Sequence, residues 1–309
     1  MKKKETMNAH TIKPSDPDYL AFRSAYSAEK HIRSSKSVGI RLNDRRMKID
    51  DGEKFYLPFE KVQKYFNFRP QELTAWSGET KSMKSMLSSY CLLSLAYQGQ
   101  ISSIASFEMP VETTYERMCS AYWGTQDFTS VQNANFSESI FKKIWFFDHL
   151  STATLDEVET FIRYSAEILS VDHVMIDSLM MCTMPSARDS RLMDKSTKDF
   201  IVLLKEMAMQ YSIHVHLVCH HKKPDGTRGN RYSIFGSSAI PNIADNVFII
   251  ERERNTDFAK EDLNFIIDSQ RNGKDGFEIK LWLDDSFQFL EDFTNPCLKP
   301  EEFISGKFF

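Results

Sequence analysis

The stretch WSGETKSMKSML, residues 76–87, holds residue types able to bind phosphate. A phosphate-binding loop reads G-x-x-x-x-G-K-[ST]. Gly78, Lys84 and Ser85 fall in that register, and Met83 stands at the second glycine. Backbone N–H groups and a helix N-terminus would hold the anion. Lys84 would reach the outer phosphates, and the Ser85 hydroxyl would ligate Mg²⁺. Lys81 adds a cation to the same loop. A helix start rich in serine and lysine would look alike, so the loop needs partners elsewhere in the chain.

Four other stretches offer them. VMIDSLM is an apolar run that reaches Asp177, and an acid at a strand end can hold a metal-bound water near the loop. SFEMP puts Glu108 at the end of the strand after the loop helix. At the carboxyl edge of a parallel sheet, that carboxylate can orient or deprotonate an attacking water. HLVCHHKKPDGTRGNRYSIFGSSAI places His220 at a strand end. The long polar loop that follows carries Lys222, Lys223, Arg228 and Arg231, which suit a nucleic-acid backbone. DSQRNGKDGFEIKLW sets Arg271 between a strand and a turn, where a guanidinium can stabilise phosphate transferring on a neighbouring subunit. Each has a plain alternative: a turn aspartate, a surface glutamate, a solvated loop, a hairpin arginine.

The elements that must position these residues alternate. ELTAWSG, ISSIASFEM, KIWFFDH, VDHVMIDSLM and IHVHLVCHH read as strands. Between them, SMKSMLSSYCLLSLAYQGQ, VETTYERMCSAYWG, LDEVETFIRYSAEILS and DKSTKDFIVLLKEMAMQYS read as helices. ADNVFIIERER, NFIIDSQ and EIKLWLD are strands that close the sheet. Strands and helices alternating at these lengths predict an α/β fold, a mostly parallel sheet with helices on both faces.

Composition limits the rest. The chain has 309 residues, 41% apolar and 27% charged, with a formal net charge of −4. These are globular values, and any nucleic-acid contact must come from local basic patches. Residues 1–54 carry 13 Lys and Arg against 8 Asp and Glu, a local +5. They read as a basic arm with a short helix near 18–34, and residues 55–309 as the main domain. No apolar run reaches the ~20 residues that span a bilayer, and the basic start has no apolar core of a secretory signal behind it. The five cysteines form no C-x-x-C pair, so neither zinc nor a disulfide framework is expected, and a reducing, cytoplasmic setting fits.

The order loop, glutamate, aspartate, histidine with basic loop, arginine is that of a RecA-type motor. From about 55 to 291 the chain resembles the helicase domain of the DnaB/Twinkle family, including podovirus and prophage primase–helicases. ELTAWSG, KSMLSSYCLLSLAYQGQ, IASFEM, VMIDSL, HLVCHHKKPDG, FGSSAIPNIADNVFIIER and SQRNG carry the resemblance. It implies a RecA-like P-loop NTPase core, ATP or another NTP with Mg²⁺ as cofactors, and single-stranded DNA as a partner. It further implies a homo-oligomer, a ring of about six subunits, with a primase or loader as a possible associate. Gly78, Lys81, Lys84 and Ser85 become nucleotide-binding residues, and Ser85 and Asp177 metal ligands. Glu108 becomes the catalytic carboxylate, His220 the γ-phosphate sensor and Arg271 a finger acting in trans. Residues 221–239 become the DNA loop of the channel.

Met83 replaces the family's loop glycine, and Ser269 stands where the family often carries a lysine. A primase domain and the usual DnaB N-terminal domain are not expected here, since only the basic arm precedes the motor. Two other readings stay open. One is a RecA-fold DNA-binding, loader-type or accessory replication protein with a degenerate nucleotide site. The other is a filament-forming recombination ATPase.

Overall fold

Strands buried on both faces need continuous apolar runs, and the chain supplies them as IWFF, HVMID and HVHLVCH. The computed structural model describes residues 11–24, 54–183, 190–221, 230–235, 238–253, 261–291 and 295–296. Its strands are β1 (Thr11–Ile12), β2 (Leu73–Gly78), β3 (Ser102–Ser106), β4 (Ile144–Phe147), β5 (Ala153–Thr154), β6 (His173–Asp177) and β7 (Cys182–Thr183). Then come β8 (His214–His220), β9 (Asn246–Glu253), β10 (Glu261–Gln270), β11 (Phe277–Leu283), β12 (Phe289–Glu291) and β13 (Asn295–Pro296).

One sheet of 11 strands has the order β1-β4-β3-β6-β8-β2-β9-β10-β11-β12-β13. Every pairing from β1 to β9 is parallel, and every pairing from β9 to β13 is antiparallel. The predicted mostly parallel sheet is therefore observed. β8 sits between β2 and β6, so the strand feeding the loop and the strand ending in Asp177 are not neighbours. His220, at the end of β8, falls between them.

Helices cover both faces, each over its own core. Helix Lys84–Tyr97 contributes Leu87, Cys91, Leu92 and Leu95 to one core, with Trp76, Phe248 and Phe265 from the strands. Helices Leu155–Glu167 and Ser190–Tyr211 cover the other face, packing Phe161, Ile162, Phe200 and Leu204 on Val174, Val215 and Leu217. Burying one such side chain contributes about 1.5–3 kcal/mol. Helix Leu155–Glu167 starts in a capping box, Thr154 with Glu157. Helix Val111–Trp123 ends, as expected, at Gly124, whose φ of 68° needs no Cβ.

Several elements differ from expectation. Helix Ser130–Ser139 is not among the predicted helices, because its hydrophobic stripe is weak; its signal is the T-x-x-Q capping box of Thr129 and Gln132. The helix expected near 18–34 is seen as Pro17–Ser24, and residues 25–34 lie outside the described residues. This part of the arm lies on the sheet. β1 pairs with β4, Lys13 bridges Asp148 at 3.1 Å, and buried Tyr19 packs on Phe147 and Tyr164.

Candidate nucleotide-binding site

β2 ends at Gly78, and the loop 79–83 leads into helix Lys84–Tyr97. A Cβ on Gly78 would lie 2.2 Å from the Ile250 carbonyl oxygen and 2.6 Å from Ser82 Oγ. No side chain fits there, so this glycine is required by space. Lys81 and Met83 both take left-handed backbone, with φ of 65° and 67°. The loop thus keeps at Met83 the conformation that glycine adopts without cost; a side chain there costs roughly 1–2 kcal/mol. The Lys81 carbonyl accepts a hydrogen bond from Arg252 Nη1 on β9 at 3.4 Å.

Five predicted residues, Lys84, Ser85, Glu108, Asp177 and His220, converge beside this loop. The Lys84 ammonium is buried and donates to the Glu79 carbonyl at 2.6 Å. Burial lowers its pKa to about 8, against the opposing pull of Asp177 and Glu108. Asp177 closes β6 and is buried; burial raises its pKa to about 6, while a hydrogen bond with Ser85 works the other way. Ser85 and Asp177 therefore lie close to each other.

Glu108 lies two residues beyond β3, slightly further out than the predicted strand end. Its Oε1 sits 3.6 Å from His220 Nε2 and accepts a hydrogen bond from the Ser178 hydroxyl. The nearby His220 chiefly holds the Glu108 pKa below its usual value, although partial burial opposes it. His220 Nδ1 and the hydroxyls of Ser77 and Ser106 are buried and have no hydrogen-bond partner. Buried polar atoms left open are costly, and their gathering at one edge fits a polar ligand.

Arg271 stands elsewhere. Asn246 is paired with Thr74 near the start of β2 and with Gln270 at the end of β10. The Arg271 guanidinium meets Asp245 Oδ1 at 3.3 Å, and its backbone N–H donates to the Asp245 carbonyl at 2.8 Å. Arg271 thus lies at the opposite edge of the sheet from Lys84. The six residues of β2 separate the edges by roughly 17 Å. Arg271 cannot serve the loop of its own chain.

Lys222, Lys223 and Arg228 lie outside the described residues. Arg231 is described, and it folds back on β10. It pairs with Asp268 Oδ2 at 2.5 Å and donates to the Asp268 carbonyl at 2.6 Å. Tyr232 beside it is 70% exposed. The loop's return is tied to the end of β8, since Phe235 N–H donates to the His220 carbonyl at 2.7 Å.

No family model matches the sequence. Solved structures with this architecture include one described as an ATPase domain, 15% identical, covering 84% of this chain and 99% of that one, with a TM-score of 0.68. A DnaB-like replicative helicase, described with its interactions with primase, is 14% identical at a TM-score of 0.64, over 88% of this chain and 70% of its own. The chain has the fold of a DnaB-type ATPase domain. A KaiC-like protein from Pyrococcus horikoshii OT3 is 13% identical at a TM-score of 0.54, over 72% of this chain and 90% of its own. It shares the broader RecA-like core.

Within this fold, Ser178 at the site and Asp245 at the opposite sheet edge escape sequence reasoning. Ser178 gives no signal of its own beside Asp177. Asp245 reads only as part of the ADN run. It is buried and binds three elements, accepting the Leu73 N–H at 2.8 Å and pairing with Lys205 at 2.5 Å as well as with Arg271. An acid just before a buried strand is its signal. Among the described residues no helix is long and apolar enough to cross a membrane.

Proposed function

We propose that this chain is the motor of a DnaB-type helicase of a phage, prophage or mobile element, which moves on single-stranded DNA by hydrolysing ATP or another NTP. The observation that carries this is the split of the site. Lys84, Ser85, Glu108, Asp177 and His220 meet at one sheet edge, and Arg271 stands at the other. A head-to-tail ring brings these edges together between neighbours, and such heterologous contacts close when the rotation allows. Residues 55–309 would be the motor, with residues 11–24 packed on its sheet, and the rest of residues 1–54 an arm that supports assembly.

In this reading Lys84 leaves the Glu79 carbonyl to meet the outer phosphates, with the loop N–H groups. The neighbour's Arg271 stabilises charge on the transferring phosphoryl group. Glu108 takes a proton from the attacking water, and His220 faces the same carboxylate. Ser85 and Asp177 would hold Mg²⁺, which neutralises phosphate charge when bound. Lys222, Lys223 and Arg228 would contact the DNA backbone, while Arg231 holds the loop through Asp268. A primase or loader is a further partner that this reading admits.

The test is NTP hydrolysis with and without single-stranded DNA, for the natural chain and for Lys84→Ala. Stimulated turnover that Lys84→Ala removes supports the motor. DNA binding with no turnover in the natural chain would favour the degenerate-site reading, for which Met83 is the specific observation.

A further inference from the structure

The catalytic carboxylate of the proposed reaction is half exposed on a flexible side chain, 41% accessible and beyond the end of its strand. Such a group needs something to fix it. His220 lies 3.6 Å away, outside ordinary hydrogen-bond length. The Ser178 hydroxyl donates to Glu108 Oε1, and Ser178 is fully buried. Its backbone is engaged too, the carbonyl accepting the Met181 N–H at 3.1 Å. Ser178 is therefore a rigid donor, the first residue after the strand that ends in Asp177. Both His220 and Ser178 meet the same oxygen, Oε1.

We infer that Ser178 is a positioning residue for Glu108: it fixes Oε1 and so presents Oε2 as the oxygen that accepts the proton from water. The inference rests on the proposed hydrolysis, but its geometry is independent of it. Removing the hydroxyl lets the carboxylate rotate. The chemical step then slows, while the loop, Ser85 and Asp177 still bind nucleotide.

The experiment uses the full chain with ATP, Mg²⁺ and single-stranded DNA. Ser178→Ala should lower kcat on the order of 10²-fold with KM little changed, as expected for a misplaced catalytic group. Ser178→Thr, which keeps the hydroxyl, should restore most of it. In a Glu108→Gln background, Ser178→Ala should cost almost nothing more, since Ser178 acts through Glu108. An equal loss in both backgrounds, or an unchanged kcat in Ser178→Ala, overturns the inference. If the natural chain does not hydrolyse nucleotide, the functional reading fails and a second measurement decides. The Glu108 carboxyl ¹³C resonance in nucleotide-free protein should move in Ser178→Ala and not in Ser178→Thr. An unmoved resonance means that Ser178 does not hold Glu108.

Discussion

The same face of the sheet handles buried titratable groups in opposite ways at its two ends. At the lower end, His173, His214 and His216 are buried among β2, β6 and β8, edge-on to Phe68. His216 Nδ1 accepts from Trp76 Nε1 at 3.1 Å, so its Nε2–H donates to His173 Nδ1 at 3.0 Å. His214 Nδ1 donates to the Arg69 carbonyl at 2.6 Å, so its Nε2 accepts from Thr74 at 2.7 Å. Partners fix each tautomer and keep the rings neutral. At the upper end, Lys84 and Asp177 are buried as potential charges, and His220 Nδ1 and Ser106 are left open. The lower end also keeps an open atom, Asn246 Oδ1, so the contrast lies in the titratable groups: neutral rings with fixed tautomers below, and a buried ammonium and carboxyl beside an open His220 nitrogen above.

The largest break of this contrast is Lys84→Ala. It removes the buried cation and should cost roughly 10²-fold or more in nucleotide affinity, the scale of a lost buried charge contact. Folding should hold, because the Lys84 ammonium is itself disfavoured by burial. Calorimetric titration with ATP checks the first point and thermal melting the second. An unchanged affinity would remove the distinction between the ends.

Acid should strike the lower end. Burial holds His173 and His216 well below the usual pKa and lowers His214 also. The unfolded chain therefore binds more protons. Stability is fully present above about pH 6.5 and is lost as pH falls below it, by about 1.4 kcal/mol per unit for each histidine. Denaturant titrations from pH 7.5 to 5 read that slope. His173→Gln should flatten it by about one proton, and an identical slope would mean that the network does not resist protonation.

These two predictions rest on features of unequal legibility. The strands and main helices could be read because their apolar periods are strong, as in HVMID. Gly78, Lys84 and Ser85 could be nominated from the phosphate-loop register, and Glu108, Asp177 and His220 because each closes or follows a strand at the carboxyl edge, where a parallel sheet gathers ligands. What could not be read was pairing across the chain. Arg231 looks like an exposed cation among glycines, yet Asp268, 37 residues on, holds it. Ser178 reads as an ordinary serine until the fold sets Glu108 against it. The histidines HVH read as strand residues, and only the register of β6 on β8 makes them a network. Contacts between distant strands leave no local periodicity.

A gentler test uses pH on the upper end. Asp177 must be ionised to hold metal, and burial raises its pKa to about 6. Lys84 must be protonated to hold phosphate, and burial lowers its pKa to about 8. Nucleotide affinity of the free protein should fall on both sides, below about 6 and above about 8, up to about ten-fold per unit. Fluorescent nucleotide binding from pH 5 to 9 would show the two limbs. A flat profile would mean that neither group carries the charge assigned to it.

The smallest expected effect concerns Met83, and it separates strain from crowding. Met83 adopts φ 67°, ψ 19°, and its side chain packs partly against the core that includes Leu87 and Trp76. Glycine would relieve about 1–2 kcal/mol of left-handed strain, but it loses that apolar contact and adds about 0.5–1 kcal/mol of unfolded-state entropy. These nearly cancel, so Met83→Gly should barely change the melting temperature. Nucleotide affinity should respond differently, because the loop already has the backbone that phosphate needs. If the side chain crowds the phosphate, Met83→Ala and Met83→Gly should both tighten binding by a few-fold. Met83→Ala keeps the strain and removes most of the bulk, so a gain in glycine alone would assign the cost to the dihedral. Binding that is absent in the natural chain and created by Met83→Gly would mark the site as degenerate, and would leave the upper end with its open polar atoms but without the ligand they are kept for.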